Sequence, residues 1–133
     1  MKLTTKIKNI LAKDGWELQD YQELQNNKKA VLIAVKQDGY ALQFASEKLR
    51  GDKEVVLEAV KEHGWALQFA SAKLQNDKEF MLELLKHDSR ALRYASVELR
   101  GDKEVVLEAV KQDDWALPYA SKELQKELST NKN

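Results

Sequence analysis

Apolar residues recur at helical spacing in two consecutive segments of the chain. On a helical wheel, residues 53–63 place Val55, Val56, Leu57, Ala59 and Val60 on one arc and the charged side chains on the other. Residues 65–75 place their aromatic, alanine and leucine side chains on a similar arc. Each arc covers roughly half of the circumference, a width typical of a helix that contacts both its hairpin partner and a neighbouring repeat. The pattern therefore predicts two consecutive amphipathic helices.

This pair of patterns recurs along the chain. Residues 49–61 occur again without change at 99–111, and weaker copies lie between and before them. The spacing predicts four helical-hairpin repeats, at residues 27–51, 52–76, 77–101 and 102–126. We therefore predict an all-α protein, an α-solenoid-like array of short two-helix repeats of about 25 residues, with roughly eleven residues or 16 Å in each helix.

The two ends of the chain depart from the repeat. Residues 1–26 are predicted to be a degenerate N-terminal capping repeat, one residue shorter than the others, with Asp20 and Tyr21 in place of a Phe-Ala pair. Residues 127–133 are predicted to be the end of the last helix and a polar tail that frays from Ser129 onward. Terminal repeats of solenoids are commonly atypical because one side faces water.

Short polar junctions separate the predicted helices. Gly51-Asp52 and Asn76-Asp77 occupy the same position in successive repeats, and Gly64 follows the first helix of its repeat. We predict that Asp caps the N-terminus of the helix that follows it, because its carboxylate accepts free N–H groups. We also predict left-handed backbone at the Gly and Asn positions, which end a helix at little steric cost.

Composition narrows the classes of function. Lys plus Arg equals Asp plus Glu, 22 against 22, so no net field attracts a polyanion or a membrane surface. The absence of cysteine excludes disulfides and thiolate metal sites and is compatible with a reducing compartment. Residues 1–15 carry lysines and no uninterrupted apolar stretch, so we predict no signal peptide, no transmembrane segment and a cytoplasmic location.

No arrangement of residues indicates catalysis or a cofactor. A serine recurs once per repeat without a base at a fixed position, and we interpret it as a residue that offers a small surface for close packing or bonds back to the preceding turn. His63 and His87 lie at different repeat positions without neighbours at metal-ligand spacing, and no phosphate-binding loop is present. We therefore predict that the protein is not an enzyme and holds no metal and no cofactor.

The repeat motif resembles a known family. Units reading Asp-Lys-Glu-Val-Val-Leu-x-Ala-Val-Lys and then Gly-x-Ala-Leu-x-Phe-Ala-Ser-x-x-Leu resemble the uncharacterised bacterial, protist and viral repeats called domain of unknown function 4116. The resemblance covers about residues 14–126, with Ser89-Arg90 and Pro118 as departures. It implies an all-helical domain that also occurs in secreted effectors of intracellular bacteria, hence possible delivery to a host cytoplasm. It implies no catalytic or binding residue.

Residues that break the repeat pattern are our first candidates for a binding surface. Arg90 stands where other repeats have an aromatic residue, Arg93 stands where two others have Gln, and Val97 is apolar at a predicted outward position. With Arg100 they fall at i, i+3, i+7 and i+10, which predicts one stripe on the exposed side of a single helix. Neighbouring helices extend this arginine stripe with two further cations, Arg50 and Lys122. We expect it to contact an acidic partner; the alternative is a solvated charged face.

Aromatic residues give a second candidate surface. Three of them lie at the edge of the apolar arc, next to the predicted turn: Tyr40, Trp65 and Trp115. Such residues are favoured at binding hot spots, and the alternative is that they cover the end of the hairpin. The aromatic residues inside the arc are predicted to be core: Phe44, Phe69, Tyr94 and Tyr119.

The outer sides of the first helices carry the opposite charge. Glutamates recur there at Glu54, Glu58, Glu79, Glu83, Glu104 and Glu108. Two faces of opposite sign favour self-association or a partner with matching patches. We therefore expect a non-catalytic protein–protein interaction module, of the adaptor, effector or inhibitor type. The alternative is a nucleic-acid-binding helical repeat that uses the arginine stripe, which the neutral net charge disfavours.

Overall fold

The computed structural model describes residues 1–130, and every regular element in that range is a helix. In chain order the α-helices are α1 (Thr5–Lys13), α2 (Lys28–Gln37), α3 (Glu47–Arg50), α4 (Lys53–Glu62), α5 (Ala72–Gln75), α6 (Lys78–His87), α7 (Val97–Arg100), α8 (Lys103–Gln112) and α9 (Lys122–Thr130). The 3₁₀ helices are Gly15–Asp20, Gln22–Leu24, Gly39–Phe44, Gly64–Phe69, Ser89–Tyr94 and Asp114–Tyr119. The predicted all-α repeat array is confirmed.

Each repeat contains three helical segments, not two. After α4 the chain forms the 3₁₀ helix Gly64–Phe69, becomes extended at Ala70 and Ser71, and resumes as α5. The single second helix predicted from the apolar pattern is therefore wrong. Two hydrogen bonds stabilise the break: the Ser71 hydroxyl accepts the N–H of Leu74 and caps α5, and the Ser71 N–H donates to the carbonyl of Arg50 in the preceding repeat.

The recurring serines account for the same break in every repeat. Each caps the helix that follows it, by accepting the N–H three residues on, at Ser46, Ser71, Ser96 and Ser121. Each also donates its backbone N–H to the repeat before, to the carbonyls of Gln25, Arg50, Gln75 and Arg100, over 2.8 or 2.9 Å. The predicted bond from these serines back to the preceding turn is therefore not the one observed, because each hydroxyl caps the following helix. The backbone N–H groups of the serines link successive repeats.

The predicted caps of the long helices are also present, with one correction. Asp52 and Asp77 accept the N–H groups of Val55 and Phe80, as N-caps do. No residue in the described range has a positive φ, so the predicted left-handed glycines are wrong. Gly51 has φ −102° and ψ 7°, in a region open to any residue, which is why Asn76 takes the same backbone at the equivalent position.

A different constraint selects glycine after the long helices. An ideal Cβ at Gly39 would collide with the carbonyl oxygen of Ala59, and one at Gly64 would lie 2.6 Å from the carboxyl carbon of Asp88. Both obstacles belong to the next repeat, which packs directly against the start of the 3₁₀ helix. Glycine is needed there for close approach between repeats. Ser89 and Asp114 occupy this position in the last two repeats.

The long helices pack side by side in one row, and the 3₁₀ helices stack beside them in a second row. The core between the rows is apolar, since no polar or charged residue is buried among residues 1–129. Val55, Val56, Ala59 and Val60 are completely buried, as their helical wheel predicts. The four aromatic residues predicted to be core pack against it but remain half-buried.

Exposed ion pairs add a further link between repeats. The first residue of a long helix reaches the Asp cap of the next one, as Lys28 reaches Asp52 at 3.0 Å and Lys78 reaches Asp102 at 3.0 Å. Lys53 reaches Asp77 in the same way at 3.3 Å. Each such pair contributes at most about 1 kcal/mol because water screens it, so these pairs align the repeats more than they stabilise them.

The two ends of the chain are helical like the repeats but differ in the segments that follow the long helix. Residues 1–26 form α1 and two 3₁₀ helices, and Tyr21 precedes the second of these without a side-chain cap. At the other end α9 continues to Thr130, so the predicted fraying at Ser129 is wrong; residues 131–133 of the predicted tail lie outside the described residues.

Two alanine substitutions test the reason for glycine. We expect Gly39→Ala to lower the free energy of unfolding by about 1–3 kcal/mol, because the new methyl group forces two repeats apart. Gly51→Ala should change it by less than about 0.5 kcal/mol, because the nearest side-chain atom, the Ser71 hydroxyl, would lie 3.4 Å from the new carbon. Urea denaturation followed by circular dichroism measures both. Equal effects of the two substitutions would contradict this account.

Candidate functional site

A groove opens on the row of 3₁₀ helices, where the helices that begin at Gly64, Ser89 and Asp114 meet. Its volume is about 230 Å³, and we call it the 3₁₀ groove. It is lined by Trp65, Ser89, Arg90, Asp113, Trp115, Ala116 and Tyr119. Three residues predicted from sequence to contact a partner therefore come together here. The Trp115 side chain is 82% exposed, an unusual position for an aromatic residue in a folded domain.

Arg93, which was predicted to contact a partner, lies against the aromatic side chains next to the groove. Its guanidinium carbon is 5.3 Å from the ring centre of Trp65 and 5.9 Å from that of Tyr119. It also lies 5.4 Å from the ring of Tyr94. The rings attract the cation and hold its plane in place. Within the described part of the chain no hydrogen bond or ion pair engages its N–H groups, so they remain available to an acceptor from outside.

Arg90 is instead paired within its own turn. Its Nε and Nη2 atoms donate to the two carboxylate oxygens of Asp88, over 3.0 and 2.6 Å. Asp88 also accepts the backbone N–H groups of Arg90, at 3.0 Å, and Gly64, at 2.7 Å. Burial raises the pKa of Asp88, but Arg90 and these N–H groups outweigh it and hold that pKa below 3.8. Asp88 is therefore a carboxylate, and Arg90 is fixed by it.

Trp65 contributes a buried donor that lacks a partner. Its indole Nε1 is buried and has no acceptor among residues 1–130. In the first repeat the equivalent indole, that of Trp16, donates to Asp38 of the next repeat at 2.8 Å. The corresponding acceptor for Trp65 is Asp88, which Arg90 and Gly64 already occupy. An unpaired buried donor costs about 1–3 kcal/mol, so this arrangement is unfavourable in the free protein.

Tyr40 lies one repeat earlier and is engaged with His63. The two rings are 4.4 Å apart, and the Tyr40 hydroxyl is 3.1 Å from Nε2 of His63. His63 occupies the position that is Asp in the other repeats, and its Nδ1 accepts the N–H of Trp65 at 3.3 Å. That bond assigns the imidazole proton to Nε2, which then donates to Tyr40. Burial and the nearby Arg90 lower the pKa of His63 below 6.5.

The remaining predicted residues lie away from the groove. Arg50 and Arg100 donate from Nε to the carbonyls of Ala45 and Ala95, at 3.3 and 3.2 Å. Gln residues at the equivalent positions, Gln25, Gln75 and Gln125, also donate to carbonyls of the preceding segment. These side chains satisfy acceptors that the helix break leaves unpaired.

The single continuous stripe predicted from Arg90 to Arg100 is therefore wrong. The chain breaks at Ala95 and Ser96, so Val97 and Arg100 belong to α7 and do not continue the 3₁₀ helix that carries Arg93. Val97 is 72% exposed and Lys122 is exposed, but neither lines the groove.

Sequence reasoning missed Asp88, Ser89, Asp113 and Tyr119. Asp88 and Asp113 appear in the sequence as ordinary turn residues, and Tyr119 was assigned to the core. Ser89 carried a signal, since it replaces the glycine that other repeats need for close packing. In the structure the side chain at that position, Ser89, lines the groove.

The arrangement suits binding by hydrogen bonds and aromatic stacking. Among residues 1–130 no cluster of three or more His, Asp or Glu side chains is placed to hold a metal ion. In the same range, every helix is too short or too polar to cross a membrane. The groove presents two indoles, a phenol, the Asp113 carboxylate and the Arg90 guanidinium, and the Arg93 guanidinium lies next to it.

Comparison with known proteins identifies the repeat. The family model described as Domain of unknown function (DUF4116) matches residues 7–50, 27–75, 52–100 and 77–125. The successive matches overlap and are offset by one repeat, so the resemblance recognised in the sequence is confirmed. No curated protein and no solved structure matches the chain.

His63 makes the stability of this region depend on pH. Since its pKa is lower in the folded protein than the ordinary value of 6.5, the unfolded chain binds more protons as the pH falls below that value. We expect the free energy of unfolding to decrease between about pH 7 and 5.5, before the carboxylates titrate. His63→Asn, which keeps a capping side chain without a titrating group, should remove this slope in urea denaturation. An unchanged slope in the variant would contradict the assignment.

Proposed function

We propose that this chain, which belongs to the DUF4116 family, is a non-catalytic protein-binding module whose 3₁₀ groove holds an acidic segment of a partner protein. The observation that carries the proposal is Trp115, 82% exposed at the rim of a groove lined by further aromatic and arginine side chains. Tryptophan, tyrosine and arginine are the residue types that contribute most to binding at protein interfaces.

The size of the groove supports a protein partner. Pockets for small molecules and cofactors commonly measure about 300–1,000 Å³. The 230 Å³ of the 3₁₀ groove matches one or two side chains of a peptide segment better. Because the repeats pack on a continuous apolar core, the groove is held on a firm scaffold and requires little ordering on binding.

The charges near the groove support an acidic segment. Arg93 is exposed, its guanidinium is held against aromatic rings, and its N–H groups point to no acceptor within the described part of the chain. A carboxylate on the partner would satisfy those donors with two parallel hydrogen bonds. In this proposal the protein acts as an adaptor, effector or inhibitor in a cytoplasm, that of the producing cell or of a host.

Peptide selection tests this function. A displayed library of random peptides is panned on the protein, and affinities are measured by the change in tryptophan fluorescence. We expect the selected peptides to share Asp or Glu beside an apolar residue. Arg93→Glu and Trp115→Ala should each weaken binding about tenfold or more, since hot-spot losses reach that size.

Matched controls come from the row of long helices. Lys36→Glu reverses an exposed cation on α2, and Leu107→Ala truncates a side chain that is 43% exposed on α8. Both should leave peptide affinity unchanged, and all four variants should keep the wild-type circular dichroism spectrum. Binding that survives both groove substitutions, or that the controls weaken equally, would refute the proposal.

The nucleic-acid alternative receives less support. Two of its cations, Arg50 and Arg100, donate to backbone carbonyls, and the chain has no net charge. Phosphate binding by several lysines and arginines gives an affinity that falls steeply with salt. We expect a fluorescent single-stranded oligonucleotide to show no such salt-dependent binding between 50 and 200 mM sodium chloride, by fluorescence anisotropy. Strong binding at low salt that disappears at moderate salt would favour the alternative instead.

A further inference from the structure

We infer that Arg90 is a carboxylate-binding site that the protein's own Asp88 occupies, and that a partner's carboxylate replaces Asp88 on Arg90 while Asp88 turns to accept the indole N–H of Trp65. This inference rests on the proposed function, because the incoming carboxylate belongs to the acidic segment held in the 3₁₀ groove. The group that binds is a carboxylate on the Arg90 guanidinium, and the change in the protein is a new hydrogen bond from the Trp65 indole to Asp88.

Arg90 is accessible to such a ligand. Its side chain is 47% exposed and lines the groove, whereas the Asp88 side chain is only 13% exposed and lies behind it. Asp88 contacts Arg90 through both of its oxygens, which is the geometry that a guanidinium offers to any carboxylate. A carboxylate entering the groove therefore competes with Asp88 for the same two donors.

Asp88 stands at a repeat position that pairs with an aromatic residue elsewhere in the chain. In the first repeat Trp16 donates its indole N–H to Asp38, which stands at the position equivalent to Asp88. In the next repeat Tyr40 pairs with His63, again at that position. The aromatic residue of one repeat thus pairs with the capping residue of the next wherever no arginine intervenes. Arg90 prevents this pairing for Trp65, whose indole N–H is buried without an acceptor.

The exchange gives the buried indole N–H of Trp65 an acceptor. Arg90 gives up one carboxylate and receives another, so its own bonding is unchanged. Asp88 keeps the backbone N–H groups of Gly64 and Arg90 and gains that of the Trp65 indole. Asp88 loses its bonds to the Arg90 guanidinium, and the new bond to a buried donor that previously had no acceptor offsets part of that loss.

Indole resonances in a ¹⁵N-labelled sample report the exchange directly. The protein has three tryptophans, so its three indole N–H signals are assigned with single Trp→Phe variants. Two probes are titrated at constant ionic strength: N-acetyl-glutamate amide, which carries a side-chain carboxylate, and N-acetyl-alanine, which carries a C-terminal carboxylate. We expect the Trp65 indole proton to move downfield and to exchange more slowly with water, while the Trp16 signal stays in place. The probe with the larger effect identifies the source of the carboxylate.

The Arg90→Gln variant supplies the matched control. Without Arg90, Asp88 is free to accept the indole N–H in the absence of ligand. The Trp65 signal of this variant should already lie near the position that the wild-type protein reaches with probe, and neither probe should move it further. A Trp65 signal that is unchanged by both the substitution and the probes would overturn the inference.

The proposed function and this inference fail in different ways. If an acidic peptide from the selection shifts the Trp115 signal but leaves Trp65 in place, the groove binds the peptide and the exchange does not occur. If no selected peptide shifts either signal, the proposed function fails as well. Shifts of both signals support both statements.

Asp88→Asn tests the competition separately. Asn keeps the oxygen that caps the turn but pairs more weakly with Arg90, so the site is no longer blocked by a charge. We expect the affinity for the selected acidic peptide to rise about two- to fivefold, the strength of an exposed ion pair. A purely structural Asp88 would instead give a variant with lower stability and unchanged or lower peptide affinity, and that result would contradict the inference.

Discussion

The structure depends on one backbone hydrogen bond that recurs between repeats. It runs from the N–H of a serine, such as Ser71, to the carbonyl of Arg50, the last residue of the short helix in the preceding repeat. An N–H inside a continuous helix is already bonded within that helix, so this bond is possible only because the second helix breaks at the serine. The break and the contact between repeats are therefore one feature. The bond also sets the spacing at which the Asp caps, the lysine–aspartate pairs and the glycine contacts meet.

The groove results from local departures from this regular plan. Ser89 places a side chain where the three units before it have Gly15, Gly39 and Gly64 in close contact with the next unit. Arg90 replaces an aromatic residue and takes Asp88 for itself, which leaves the indole of Trp65 without an acceptor. Because the surrounding repeats supply stability, these departures are tolerated, and they concentrate unpaired donors and exposed aromatic surface in one place.

Much of the architecture follows from periodicity. The apolar positions of the long helices, the Asp caps and the period of the repeat are local properties, and the structure confirms them. The break in the second helix escaped prediction because the apolar arc continues across it, so a helical wheel through residues 65–75 looks unbroken. The same error made Arg50 and Arg100 look exposed, although each donates to a carbonyl at the break.

The sequence by itself determined the helical class and the repeat, because both depend on the spacing of apolar residues. Comparison between repeats also selected the candidate binding residues Arg90, Arg93, Trp65 and Trp115. Only the tertiary structure decided what those residues do. Arg93 lies on the rings of two other repeats, 28 and 26 positions away in the chain, and Arg90 occupies Asp88, the residue equivalent to the acceptor that Trp16 has in the first repeat. Such contacts are fixed by how repeats stack, and a periodic pattern within one helix contains no information about that stacking.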